Sequence, residues 1–159
     1  MPYSEETASY KFNHTMLRIK DPKISLPFYT DIIGMDFIDK LEFSDFTLYF
    51  LAFDRSGGKA TDAEKKADRH NREGILELTH NHGTEKLGAT PYHSGNADPQ
   101  GFGHIAITVA NVEEACARFG RLGVPFKKRL TDGRMRNIAF ILDPDGYWIE
   151  VLQDTTASK

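Results

Sequence analysis

His14-Thr15-Met16-Leu17-Arg18-Ile19 opens a pattern that His104-Ile105-Ala106-Ile107-Thr108-Val109 opens a second time. Each run reads as a strand, where side chains alternate between two faces, and each begins with a histidine. After the first run, Pro22 to Ile33 reads as a helix closed by Gly34, and Thr47 to Phe53 and Gly74 to Thr79 read as further strands. After the second, Val112 to Leu122 reads as a helix ended by Gly123, with strands at Ile138 to Leu142 and Tyr147 to Leu152. Asp143-Pro144-Asp145-Gly146 joins that last pair, because proline presets one central position of a turn and glycine tolerates positive φ. Each half runs strand, helix, then two or three strands. Such a half cannot bury both faces of its sheet alone, so two copies are expected to pack together.

The polar stretch Ser56 to Arg72 interrupts the first copy and reads as a loop or short exposed helix. Residues Lys86 to Gln100, rich in Gly, Pro, Asn and Asp, read as the linker between copies. The expected organisation is one α+β domain with a first module at about 12–82, a linker at about 86–100 and a second module at about 101–154.

Composition narrows the functional classes. A chain of 159 residues, 40% hydrophobic and 27% charged, has the balance of a single soluble domain. Folding at this size buries roughly 70% of the surface of the unfolded chain, so a metal is expected to serve chemistry rather than stability. The single cysteine, Cys116, forms no intramolecular disulfide and reads as a small core residue of a protein in a reducing compartment. The polar start from Met1 to Tyr10 and the lack of any apolar run near ~18 residues point to a cytoplasmic protein without a membrane partner. A net charge of −3 argues against nucleic acid as a partner. The local basic cluster Lys127, Lys128, Arg129, Arg134 and Arg136 is either a solvated rim or a seat for a small anion.

The residues that stand out are carboxylates inside apolar strands. Glu77 lies between Leu76 and Leu78, and Glu150 between Ile149 and Val151. A buried carboxylate is costly unless it is paired or bound to a cation. One such glutamate is ordinarily an outward-facing residue of a half-exposed sheet, and one histidine an ordinary satisfied imidazole. Here a histidine at the start of the first strand and a glutamate inside the last recur together in both copies, as His14 with Glu77 and His104 with Glu150. Two imidazoles and two carboxylates suit a divalent transition metal, with water filling the remaining positions. His80 and His82 fall on the face opposite Glu77, and His70 and His93 lie in polar loops, so these four are expected at the surface or supporting a site. The chain has no Ser-His-Asp arrangement, glycine-rich phosphate loop or paired CxxC.

Several segments match a known family over successive positions. His14-Thr15-Met16-Leu17-Arg18, Phe28-Tyr29, Leu76-Glu77-Leu78-Thr79-His80-Asn81, Asp98-Pro99 with Gly101-Phe102-Gly103-His104, and Asp143 to Glu150 resemble the glyoxalase I (lactoylglutathione lyase) family. The likeness covers about residues 12–153. It implies the vicinal oxygen chelate fold shared by glyoxalases, bleomycin resistance proteins and dihydroxybiphenyl dioxygenases, with two βαβββ modules forming a cupped sheet. It implies conversion of the methylglyoxal–glutathione hemithioacetal to S-lactoylglutathione through a metal-stabilised enediolate. The metal ligands would be His14, Glu77, His104 and Glu150, in a homodimer whose sites each combine the first pair of one subunit with the second pair of the other. Glu150 corresponds to the catalytic base on one face of the substrate and Glu77 to its counterpart on the other. Arg18 and Asn81 match residues at the γ-glutamyl end of glutathione, Lys128 and Arg134 lie near its glycyl carboxylate, and Phe46 and Met135 near the methyl group of the substrate. The long insertion Ser56 to Arg72 resembles zinc-using members, with nickel or cobalt as the alternatives. Gln100 departs from the family pattern, which places an arginine between Asp98-Pro99 and Gly101. The competing readings are an epimerase or thiol transferase of the same fold, and a metal-free sequestering protein.

Overall fold

Eight strands form two four-stranded sheets of the same design in the computed structural model, which describes residues 4–156. In the first, β1 (His14–Ile19), β2 (Asp36–Glu42), β3 (Phe46–Ala52) and β4 (Ile75–Asn81) run in the order β1-β4-β3-β2. In the second, β5 (His104–Val109), β6 (Phe126–Lys128), β7 (Ile138–Leu142) and β8 (Trp148–Gln153) run in the order β5-β8-β7-β6. In both, the first strand pairs parallel to the last and the remaining pairs are antiparallel. The α+β fold and the internal repeat are those expected from the sequence. The chain divides into two compact units, one holding the stretch up to Pro22 with Tyr29–Leu87, the other Lys23–Phe28 with the stretch from Gly88 onward.

Two strands were not individually legible. In Asp36–Glu42 a bulge between Phe37 and Asp39 breaks the two-residue period that marks a strand. Phe126–Lys128 is three residues long, too short to show a period. The first helix also departs from expectation. It starts with Pro22, whose fixed φ suits a first turn, but runs as α1 (Pro22–Pro27) and then widens into a π-type turn at Phe28–Ile32. Pro27 has no N–H to give the helical ladder. Gly34, at φ 88°, ends the segment in the left-handed conformation.

The insertion folds as a short helix, α2 (Asp62–Ala67), started by a capping box in which Thr61 and Glu64 satisfy each other's backbone amides. A 3-10 turn follows at Asp68–His70. Its polar sequence conceals that it is docked. Lys65 pairs with Asp36 at 2.8 Å, Lys66 and Arg69 hold Asp39 at 2.9 and 3.4 Å, and the Arg69 guanidinium lies over the Phe50 ring. Burial pushes the Asp39 carboxyl up, but hydrogen bonds from Lys66 and the Lys40 amide, with the charges of Lys66 and Arg69, more than reverse this and leave it below its ordinary value.

In the second unit α3 (Val112–Arg121) begins at Asn111, whose side chain accepts from the Glu114 amide, buries Val112 and Phe119, and lies against β7 and β8. Cys116 on this helix is half-buried, and desolvation raises its thiol pKa, as suits an inert small side chain. The β7–β8 turn forms as read: the Asp143 carboxylate accepts from the amides of Asp145 and Tyr147, and Gly146 takes φ 86°. Asp145, 5% exposed, accepts from the hydroxyls of Ser25 on α1 and Thr90. Asp145→Ala leaves both hydroxyls short of a charged acceptor. It is expected to cost about 2–4 kcal/mol in chemical denaturation, with Asp145→Asn milder.

Candidate metal centre

Register places each histidine and glutamate on one sheet face. Met16 pairs with Glu77 and His14 with Ile75, so His14 and Glu77 are diagonal neighbours across the parallel β1–β4 pair. Ala106 pairs with Glu150 and His104 with Trp148, which repeats the offset in β5–β8. On its antiparallel side each glutamate faces a phenylalanine, Phe50 or Phe140. The Nε2–Oε2 separation is 3.3 Å in both pairs. The histidine side chains are 43% and 41% exposed, whereas those of Glu77 and Glu150 are 13% and 18% exposed. Each carboxylate is thus largely withdrawn from water, beside an imidazole and an aromatic ring.

Both pairs fit a cation. With ligand bonds of about 2.1 Å, neighbouring donors on one divalent ion sit roughly 3.0–3.4 Å apart. Among the described residues no group of three or more His, Cys, Asp or Glu side chains that could hold a metal is found, and each sheet brings together one histidine and one glutamate. The two pairs also differ. The Thr79 hydroxyl reaches the second oxygen of Glu77 through a long hydrogen bond of 3.4 Å. Leu152 occupies the corresponding place beside Glu150, and among the described residues Glu150 has His104 as its one polar partner. Glu77 thus has one weak polar contact that Glu150 lacks.

The other residues singled out from sequence distribute as follows. Arg18 shares the His14 face of β1 and is exposed. Asn81 ends β4 on the Glu77 face, cross-strand from Phe46, whose ring stacks on Phe43 at 4.5 Å. In the second unit Arg134 and Met135 lie exposed in the loop between β6 and β7. Lys128 gives its ammonium hydrogens to the carbonyls of Met135 (2.6 Å), Ile138 (2.8 Å) and Arg129 (3.2 Å) and so staples that loop. It can reach an anion only by releasing one of these bonds. Gln100 is exposed. His80 lies on the face away from Glu77 but is buried, 3.0 Å from Glu85, while His82 bonds Thr47. His93 bonds the carbonyls of Ala97 and Pro99 at the surface. Asn13 and Thr79, to which the sequence assigns no functional role, touch His14 and Glu77. Their only signal in the sequence is position: Asn13 precedes His14, and Thr79 follows Glu77 by one alternation of the strand.

The sequence profile of the Glyoxalase/Bleomycin resistance protein/Dioxygenase superfamily matches residues 11–151. A lactoylglutathione lyase of Pseudomonas putida is 53% identical over 152 residues, covering 94% of this chain and 88% of the relative. One of Schizosaccharomyces pombe is 50% identical over 149 residues, covering 92% of this chain and 46% of the relative, so the chain spans about half of that longer protein. Among solved structures, the trypanothione-dependent glyoxalase I of Leishmania major superposes with a TM-score of 0.69 at 32% identity, over 93% of this chain and 89% of that one. The profile, the identities and the repeated histidine–glutamate sheets agree: the chain belongs to the glyoxalase superfamily and, within it, to the lactoylglutathione lyase (glyoxalase I) family.

Proposed function

We propose that the chain isomerises the hemithioacetal of methylglyoxal and glutathione to S-lactoylglutathione, with His14, Glu77, His104 and Glu150 holding one divalent metal per site in a homodimer. The observation that carries this reading is the pair of matching His–Glu couples, each with 3.3 Å between its donor atoms, in a lactoylglutathione lyase family member. The resemblance to glyoxalase I supports a site shared between subunits, with the first pair from one and the second from the other completing the quartet. Zinc is the first candidate, on the strength of the insertion, with nickel and cobalt as alternatives. A single half-buried cysteine suits a cytosolic setting.

The reaction moves one carbon-bound proton from C1 to C2 and one hydroxyl proton from the C1 oxygen to the C2 oxygen, with no net redox change. A divalent cation held by His14, Glu77, His104 and Glu150 would supply Lewis acidity that lowers the cost of the charge left when the C1 proton departs. Glu150 takes that proton, shields it from solvent among Phe140 and the apolar strand, and returns it to C2. Glu77, with the Thr79 hydroxyl 3.4 Å from its second oxygen, stands on the opposite side. Arg18 and Asn81 bind the γ-glutamyl end, Arg134 and Lys128 attract the glycyl carboxylate, and Phe46 and Met135 line the place of the methyl group. Incubating the protein with methylglyoxal and glutathione and following thioester absorbance tests this. Thioester is expected only when both reactants are present, whereas an epimerase, a thiol transferase or a sequestering protein produces none.

Gln100 offers an amide hydrogen bond where the family pattern supplies a guanidinium. Gln100→Arg is expected to lower KM for the hemithioacetal several-fold and leave kcat nearly unchanged, because the contact is remote from the reacting carbon and equal in ground and transition states. Steady-state kinetics at low and high salt checks it. An unchanged KM at low salt, where a new ion pair is strongest, shows that position 100 does not read the ligand.

A further inference from the structure

Asn13 is held on three sides. Its side-chain nitrogen donates to the carbonyls of Arg69 and Arg72, both at 2.9 Å, and its main-chain oxygen accepts from the Ile75 amide. A carboxamide has two hydrogens, and both are engaged by carbonyl oxygens, so the orientation of the group is settled. The atom facing His14 Nδ1 at 2.8 Å is then Oδ1, which can only accept. Nδ1 must carry the hydrogen, and in the neutral ring Nε2 must carry the lone pair. That lone pair lies on the Glu77 side, where a metal ligand needs it. In the opposite tautomer Nε2–H would donate to Glu77, and two lone pairs would meet at Nδ1 and Oδ1.

We propose that Asn13 is a positioning residue that fixes the tautomer of His14, with the backbone of the insertion as its platform. The proposal rests on the reading of His14 as a metal ligand and deepens it. The platform is itself pinned to the first sheet: Arg69 pairs with Asp39 and covers Phe50, and Arg72, 9% exposed, donates to the Phe53 carbonyl at 2.6 Å. The insertion therefore bears on the site through one amide rather than by contributing a ligand. The second pair lacks this device. Among the described residues His104 has no such carboxamide and meets the Phe140 ring edge-on at 5.2 Å. The first pair is preorganised and the second is left to adjust.

The test is tautomer assignment of the His14 ring by long-range nitrogen–proton correlation in the metal-free protein at alkaline pH, combined with zinc affinity by chelator competition. The wild type is expected to show the Nδ1–H form. Asn13→Ala is expected to lose that preference and to bind zinc about 10- to 100-fold more weakly, the usual cost of removing a partner behind a ligating histidine. An Nε2–H form in the wild type overturns the proposal whether or not the variant folds. So does a folded Asn13→Ala protein with wild-type tautomer and affinity. His14→Ala separates the two levels of the argument: undiminished zinc affinity in that variant overturns the ligand assignment itself, whereas lost affinity there beside an unaffected Asn13→Ala overturns only the role of Asn13.

Discussion

Glu150→Gln is expected to lower kcat by about 10²- to 10⁴-fold, the usual contribution of a positioned general base, while the protein stays folded. The amide is isosteric, so the packing of β8 between Ile149 and Val151, both fully buried, is undisturbed. It can still ligate weakly through its oxygen, but it cannot accept the C1 proton. Loss of a charged ligand adds to the deficit through weaker metal binding, which is read separately by titrating metal into the variant. Glu77→Gln makes the informative comparison, because Glu150 is the proposed base and substitution of Glu77 is expected to act more on affinity than on proton transfer. A Glu150→Gln enzyme that keeps most of its kcat with metal saturated would remove Glu150 from the role of base.

Mixed dimers give the second large effect. His14→Ala and His104→Ala are each expected to be nearly inactive alone, since on the proposed shared-site dimer every site would then lack one imidazole. When differently tagged chains carrying the two substitutions are co-expressed and the mixed dimer is isolated, one site collects both lesions and the other collects neither. Activity is expected to return to up to half that of a wild-type dimer. If both pairs of a site came from a single chain, each site would carry one lesion, and mixing would restore nothing.

Much of this was legible because the informative residues obey a two-residue period. His14, Glu77, His104 and Glu150 sit in unbroken strands, where alternation alone assigns them a face, and Leu76, Leu78, Ile149 and Val151 mark the opposite face by burial. Asp143-Pro144-Asp145-Gly146 was legible through turn chemistry confined to four residues. What escaped depends on long-range partners. The bulge in β2 hides its period, and the docking of α2 depends on Asp36 and Asp39 from a different part of the chain. The stapling of the β6–β7 loop by Lys128 is a choice among backbone carbonyls that composition cannot foresee. Asn13 is the clearest case. Its meaning comes from the carbonyls of Arg69 and Arg72, across more than fifty residues of sequence.

On the proposed function, two histidine–glutamate pairs close on a single metal. Zinc titration of the metal-stripped protein, counted per chain, tests it most directly in the wild type beside His14→Ala, His104→Ala and the two glutamate-to-glutamine variants. One zinc per chain is expected in the wild type and weakened binding in all four variants, although the substituted residues lie in two different sheets. Full-affinity binding in either histidine variant, or two independent zinc ions per chain that respond separately to the two pairs, would contradict it.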